Sequence, residues 1–445
     1  MLAYNVRLAI KSFRKNPGIT ALMVAAIAIG IAACVITMTL YHATSADPIW
    51  WKSDRLYAVT MDNWDPNRPY DPAYPDMAPP QVTFRDGEYL AHSSIPVRHA
   101  LMRLDEGVIV ADSKAPLPVL TRMTSADFFA MFDVPFLYGG GWKAEGTGGP
   151  EAAMVLSKAE NQKLFGGINS VGKTVRWEDH EFRIVGVMND WNPKPKFYDL
   201  NNGAFAPLED VFIPFGWTEA LQRVIVHGNH QCWKFEPDNT FEDYMNADCV
   251  WLQLWVELPT RAARVRMQDF MDNYWAVQHA KGRFQRPRNN RLTNVDQWLK
   301  DQRVVGNDDR ILLGVAFFFL AVCLINTVGL LLAKFLNNAQ LTGIRRALGA
   351  SRRHIFVQHL VETGLVAGAG ALLGLVLTWM GLLGIHALYS INAELDYPGR
   401  EILTHPDFYS LGVAAALAII ASLAAGLYPA WRVGQVPPAV YLKNQ

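Results

Sequence analysis

A few stretches of this 445-residue chain carry reactive side chains at spacings that chemistry uses. Gly167-Ile-Asn-Ser-Val-Gly172-Lys173-Thr174 satisfies the G-x4-G-K-[ST] phosphate-loop pattern letter for letter. Such a loop works because it follows a strand and opens a helix, which aims backbone N–H groups and the helix dipole at phosphate. Here the order is reversed: Leu156 to Phe165 reads as helix before it, and Val175 to Val187 alternates like a strand after it. Context therefore rejects a nucleotide site. His227-Gly-Asn-His230-Gln-Cys232 offers metal-ligating groups, but their spacing fits none of the usual zinc patterns, so it reads as a polar loop and no metal is expected. With no nucleophile elbow, HExxH or paired carboxylates, no catalytic residue is assigned.

The sharpest remaining signal is Gln340-Leu-Thr-Gly-Ile-Arg-Arg-Ala-Leu-Gly-Ala-Ser-Arg-Arg-His-Ile355, two Arg pairs around a Leu-Gly-Ala turn. What positions it is membrane. Apolar runs at Ile19 to Thr39, Ile311 to Ala333, within Val361 to Leu388, and Phe408 to Tyr428 are each long enough to cross about 30 Å of hydrocarbon. The expected order is a cytoplasmic amphipathic helix (1–18), span one (19–43), a large outer domain (44–308) and span two (309–335). A cytoplasmic segment (336–356), span three (357–388), a short outer loop (389–407), span four (408–430) and a cytoplasmic tail (431–445) follow. Zero formal net charge is an average over these unlike parts and gives no sign of a nucleic-acid partner.

Lys and Arg set the orientation. Arg7, Lys11, Arg14 and Lys15 precede span one without an acid, and Lys334, Arg345, Arg346, Arg352 and Arg353 mark the link between spans two and three. Both are expected on the cytoplasmic side, with both termini inside and the large domain outside. The first run is longer than a signal-peptide core and reads as a retained anchor. Ahead of it the four cations share one helical face and Leu2, Val6, Ile10 and Phe13 a neighbouring one, the pattern of a helix lying on the inner leaflet.

Within the spans, Gly364, Gly368, Gly370 and Gly374 form two small-xxx-small pairs suited to close helix packing. Asn326 is expected to hydrogen-bond across helices. His359 and Glu362 lie at the inner end of span three, where an ionisable group is costly unless paired or near the interface. For Glu362 two readings stand, pairing with an Arg of the cytoplasmic link or snorkelling to the headgroups, and the second is favoured. Cys34 and Cys323 sit in spans and only pack. Cys232 and Cys249 lie outside, where oxidation is permitted, and spacing leaves open whether they are bonded.

The outer domain reads as mixed α+β. Arg55 to Thr60 and the hairpin Thr174 to Val187 read as strands, Ser125 to Met131 as a capped helix, and Glu160 to Phe165 as a helix end closed by Gly166-Gly167. Asp65 to Pro80 and Gly139 to Gly149 read as loops.

Gly343-Ile-Arg-Arg-Ala-Leu-Gly-Ala350 resembles the EIGIRRALGA segment of the MacB- and FtsX-type permease subunits of ABC transporters, and Ala425-Gly-Leu-Tyr-Pro-Ala-Trp-Arg432 with Pro437-Pro438-Ala439 is similar to their closing stretch. In the outer domain, Ser125 to Phe129, Gly139 to Trp142, Leu164 to Gly167, Val171-Gly-Lys173, Phe182 to Val187 and Val211 to Pro214 follow the family's order. That family has a VGK turn where the phosphate-loop match falls. Departures are Thr342 in place of the family's acid before Gly343, and Val440 where the tail often has an acid.

The resemblance implies a non-catalytic permease that passes ATP-driven motion through the bilayer to the outer domain. Gly343, Ile344, Arg345, Arg346, Ala347, Leu348, Gly349 and Ala350 would dock the ATPase. Because only residues 1–18 precede span one, ATP and Mg are expected on a separate cytoplasmic ATPase dimer and no cofactor on this chain. A second permease chain, identical or related, is implied, with a periplasmic adaptor and an outer-membrane channel, in the bacterial inner membrane. The implied function is efflux of hydrophobic or peptide-like compounds from the periplasm; the alternatives are lipoprotein release and an FtsX-like scaffold activating a cell-wall hydrolase.

Overall fold

The structure, a computed structural model, describes residues 2–111, 115–143, 149–222, 230–234, 240–337, 344, 349–393, 412–413 and 416. It comprises two compact units, one of Met1–Thr44 with Val305–Gln445 and one of Ser45–Val304. Helix α1 (Leu2–Lys15) carries Arg14 and Lys15 in its last turn, where they complement the helix dipole. Helix α2 (Pro17–Ser45) opens on Pro17, whose missing N–H is not needed in a first turn.

The Ser45–Val304 unit is built on a mixed sheet of β1 (Leu56–Thr60), β2 (Arg98–Val110), β3 (Leu117–Thr124), β4 (Phe136–Gly139), β5 (Ala153–Leu156), β6 (Thr174–Trp177), β7 (His180–Met188), β8 (Val211–Pro214), β11 (Gln253–Glu257) and β12 (Arg291–Asn294). The order is β12-β1-β11-β2-β3-β8-β5-β7-β4, with β6 joined to β2 and β7; the β3/β8 and β5/β7 pairs are parallel. β9 (Gln231–Cys232) and β10 (Cys249–Val250) form a separate ribbon. Around the sheet pack α3 (Phe84–Ala91), α4 (Phe128–Met131), α5 (Lys158–Phe165), α6 (Trp217–Ala220), α7 (Phe241–Asn246), α8 (Arg261–Ala280) and α9 (Val295–Asp301).

Strand residues alternate between two cores, as the two-residue period requires. Tyr57, Val59, Leu254 and Val256 join Leu90 of α3 and Met267 and Met271 of α8, whereas Leu56, Ala58 and Trp255 join Phe128 of α4 and Trp298 of α9. Both faces being covered, β1, β5 and β11 are buried at every position.

Three local expectations shift. The helix expected over Ser125 to Met131 shrinks to α4, because the Ser125 hydroxyl accepts the Leu101 N–H at 3.1 Å instead of capping. Leu156 ends β5 and does not begin a helix; Ser157 caps α5 by accepting the Glu160 N–H. Gly139 belongs to β4, so the glycine-rich loop starts after it.

Back in the first unit, α10 (Asn307–Asn337) and α11 (Arg352–Ala393) are, with α2, the three helices among the described residues that are long and apolar enough to cross a membrane. α11 continues past Leu388 into the stretch expected to be an outer loop, since no Gly or Pro occurs there before Pro398. The expected span four, 408–430, lies outside the described residues except 412–413 and 416.

Candidate functional site

The segment joining α10 to α11 contains the sequence's docking candidates. Gly343, Arg345, Arg346, Ala347 and Leu348 lie outside the described residues. Ile344 is exposed, and Gly349 has φ +101°, a conformation that side chains other than glycine rarely adopt. Ser351 then starts α11: its carbonyl and hydroxyl oxygens both accept the His354 N–H, at 3.0 and 3.2 Å.

At the base of this segment is a polar junction. Glu362 of α11 is buried and does not snorkel; its partner is Lys334 of α10, at 2.8 Å, and neither of the two alternatives raised by the sequence describes it. Ser12 of α1 donates a 2.6 Å hydrogen bond to the same carboxylate oxygen. A charge held in apolar surroundings needs such partners, because an isolated one is costly. The Phe13 ring lies 4.7 Å beneath the Lys334 ammonium, and Phe335 packs at 4.2 Å on the ring of His359, whose Nδ1 is 3.8 Å from Glu362.

α1 turns toward α11 a face made by the buried Asn5 and Ala9 and the half-buried Ser12 and Phe13. That face is offset from the expected apolar stripe, whose Ile10 is 47% exposed, while Arg7, Lys11, Arg14 and Lys15 are open.

The glycines divide. A Cβ on Gly370 would stand 2.8 Å from Ile27, and one on Gly374 3.2 Å from Ile31, so these two bring α11 against α2. Gly364 and Gly368 have no described atom within 4 Å of that position. Asn326 is on an exposed face of α10 and makes no hydrogen bond among the described residues. Cys34 and Cys323 are buried free thiols.

In the outer unit, the phosphate-loop look-alike has several of its N–H groups already occupied. Gly167 donates to Asn161 O, Gly172 to Ile184 O and Lys173 to Ser170 O, while the Lys173 ammonium lies over the Phe165 ring. Cys232 is bonded to Cys249 and so is not free to ligate a metal; His227 lies outside the described residues. A cavity of about 290 Å³ is walled by Glu88, His92, His99, Asp127, Phe215 and Glu219, where burial pushes the His99 pKa below its ordinary value.

The outer unit's strongest electrostatic feature escaped the sequence. Arg122 on β3 is fully buried and paired with both Asp199 and Glu209; Lys196 lies 2.7 Å from Glu209, and the Tyr198 hydroxyl donates to it at 2.9 Å. Burial opposes the charge on Glu209, but Arg122 and Lys196 outweigh it and hold the pKa down to about 2. The signal available was Arg122 as the one charged residue of Leu117–Thr124; its acidic partners, distant in sequence, gave none.

Residues 20–269 match the family model of the MacB-like periplasmic core domain, and residues 313–438 match that of the FtsX-like permease C-terminal region. The chain belongs to the MacB- and FtsX-type ABC permease family. Among curated proteins it is similar to the macrolide export ATP-binding/permease protein MacB of Wolinella succinogenes, 23% identical over 78% of this chain and 48% of that one. The protein of the same description from Pasteurella multocida is 22% identical, over 74% of this chain and 45% of that one. This permease chain thus spans about half the length of the curated relatives it matches. Of solved structures, the periplasmic region of MacB from Actinobacillus actinomycetemcomitans covers 58% of this chain and 96% of its own, at 11% identity and a TM-score of 0.35.

Proposed function

We propose that this chain is the permease subunit of an ABC transporter that carries ATP-driven motion from a separate cytoplasmic ATPase to a periplasmic domain, driving efflux of hydrophobic or peptide-like compounds. One observation carries the reading: a MacB-like periplasmic core and an FtsX-like permease region occur in one chain, and the second region contains the doubly basic segment 343–350. ATP and Mg would be held by the partner, and this chain would bind neither. Arg345 and Arg346 would meet the ATPase, and Thr342, where the family has an acid, would bear on which ATPase is accepted.

Both termini and the docking segment are assigned to the cytoplasm, from the excess of Lys and Arg there. Two ATPases share a nucleotide-binding interface, so two permease chains are required. A periplasmic adaptor and an outer-membrane channel complete the route.

Affinity purification of the full chain with its co-expressed genomic neighbours tests this reading. Co-elution of an ATPase and an adaptor is expected. Replacing Arg345 and Arg346 together by Ala should abolish ATPase co-elution without changing membrane insertion. Recovery of a cell-wall hydrolase in place of an adaptor, or ATPase binding indifferent to the double change, would overturn it.

A further inference from the structure

We infer that α1 is a working part of the coupling apparatus, clamped to both helices that flank the docking segment by the Ser12–Glu362–Lys334 link; the inference rests on reading that segment as the ATPase dock. The chain leaves the junction through Lys334, at the end of α10, and returns to it through Glu362, in the early turns of α11. An ion pair whose side chains are 0% and 6% exposed therefore joins the two helices that flank the docking segment.

α1 is joined to that base by chemistry that topology alone does not call for. A helix retained only for its positive charges needs an open basic face, which Arg7, Lys11, Arg14 and Lys15 supply. It has no need of a Ser12 hydroxyl 2.6 Å from a buried carboxylate, or of Phe13 under the Lys334 ammonium. In low-dielectric surroundings these contacts are hard to exchange for water, so the three helix ends move together. The side of α1 remote from α11 stays available to anionic headgroups. A displacement of the docking segment then drags a basic helix along the inner leaflet.

The test uses the full chain in nanodiscs of phosphatidylethanolamine and phosphatidylglycerol, with trypsin cleavage at Arg7, Lys11, Arg14 and Lys15 followed by mass spectrometry. Ser12→Ala and Glu362→Gln should each accelerate cleavage about tenfold, the double variant no more than the faster single, and the swap Lys334→Glu with Glu362→Lys should restore part of the protection. The thermal midpoint of the outer unit, followed on the same samples, should stay within 2 °C. Should Glu362→Gln fail to fold, the uncharged Ser12→Ala carries the comparison. Unchanged cleavage in Ser12→Ala would overturn the clamp.

A second readout separates a working part from a structural one. With the ATPase co-purified, maleimide labelling of Lys11→Cys should change rate severalfold on ATP addition, and that response should vanish in Ser12→Ala while the ATPase still co-elutes. Labelling indifferent to ATP in the otherwise unaltered chain would overturn the coupling role. Failure of any ATPase to co-elute would remove the coupling role together with the proposed function, and would leave standing the clamp alone, whose cleavage assay needs none.

Discussion

Arg122 of β3 and Glu209, just ahead of β8, form an ion pair with no solvent exposure on either side chain. β3 and β8 are neighbouring parallel strands, so the pair ties a crossover connection to the sheet at the point where the chain returns. Removing one partner leaves the other buried with one opposite charge fewer, Arg122 keeping Asp199 and Glu209 keeping Lys196, at a cost of up to about 3–5 kcal/mol. Glu209→Gln and Arg122→Met should each lower the thermal midpoint of the outer unit markedly, as read by tryptophan fluorescence of the purified chain. Because both act on one network, the double variant should lose less than the two singles summed. Additive losses would mean that the two residues do not share their stabilising contact.

The same pair predicts an acid sensitivity. The ordinary carboxyl pKa of 4.5 falls to about 2 in the folded state, where Arg122 and Lys196 outweigh the cost of burial. A depressed folded pKa contributes stability that is complete above about 4.5 and is lost as pH falls through 2. The thermal midpoint should therefore decline between pH 4.5 and 2, and more steeply in the unaltered chain than in Glu209→Gln. Parallel declines would remove Glu209 as a source of that sensitivity.

Much of this was legible from residue order, and the misses have a common cause. Helix and strand signals that depend on near neighbours were readable: the alternation of Val175, Trp177, Phe182 and Ile184, the glycine closing α5, and the apolar length of α2. Ser125 misled because its hydroxyl serves Leu101 across the fold, a contact with no local trace. Glu362 misled for the same reason: Lys334 reads from sequence as a topogenic charge, and Ser12 is 350 residues away. Order also separated the phosphate-loop pattern from its chemistry, since a helix precedes it and a strand follows.

The disulfide between Cys232 and Cys249 closes a separation of 17 residues and staples β9 to β10 in register. A loop of that size corresponds to about 3 kcal/mol in chain-entropy terms. Replacing both cysteines by Ser should lower the thermal midpoint of the outer unit by about 5–10 °C. Thiol titration of the denatured, unreduced chain should find only Cys34 and Cys323 reactive. Four reactive thiols would show the bond does not form in the cell.

Contact between α2 and α11 runs through Gly370 and Gly374, and it gives a prediction that separates close packing from mere proximity. A leucine at 370 would drive carbon into Ile27, where even a Cβ would stand 2.8 Å away. Overpacking of this kind costs about 1–3 kcal/mol, so Gly370→Leu should reduce the thermal midpoint of the membrane unit. Cysteines at the neighbouring pair provide the geometric check. A Cβ at 374 would lie 3.2 Å from that of Ile31, just short of the usual disulfide spacing of about 3.5–4.5 Å, so with a slight parting of the helices Ile31→Cys with Gly374→Cys should cross-link within one chain on mild oxidation. Cross-linking between chains instead would transfer this glycine surface from intramolecular packing to the contact between two permeases.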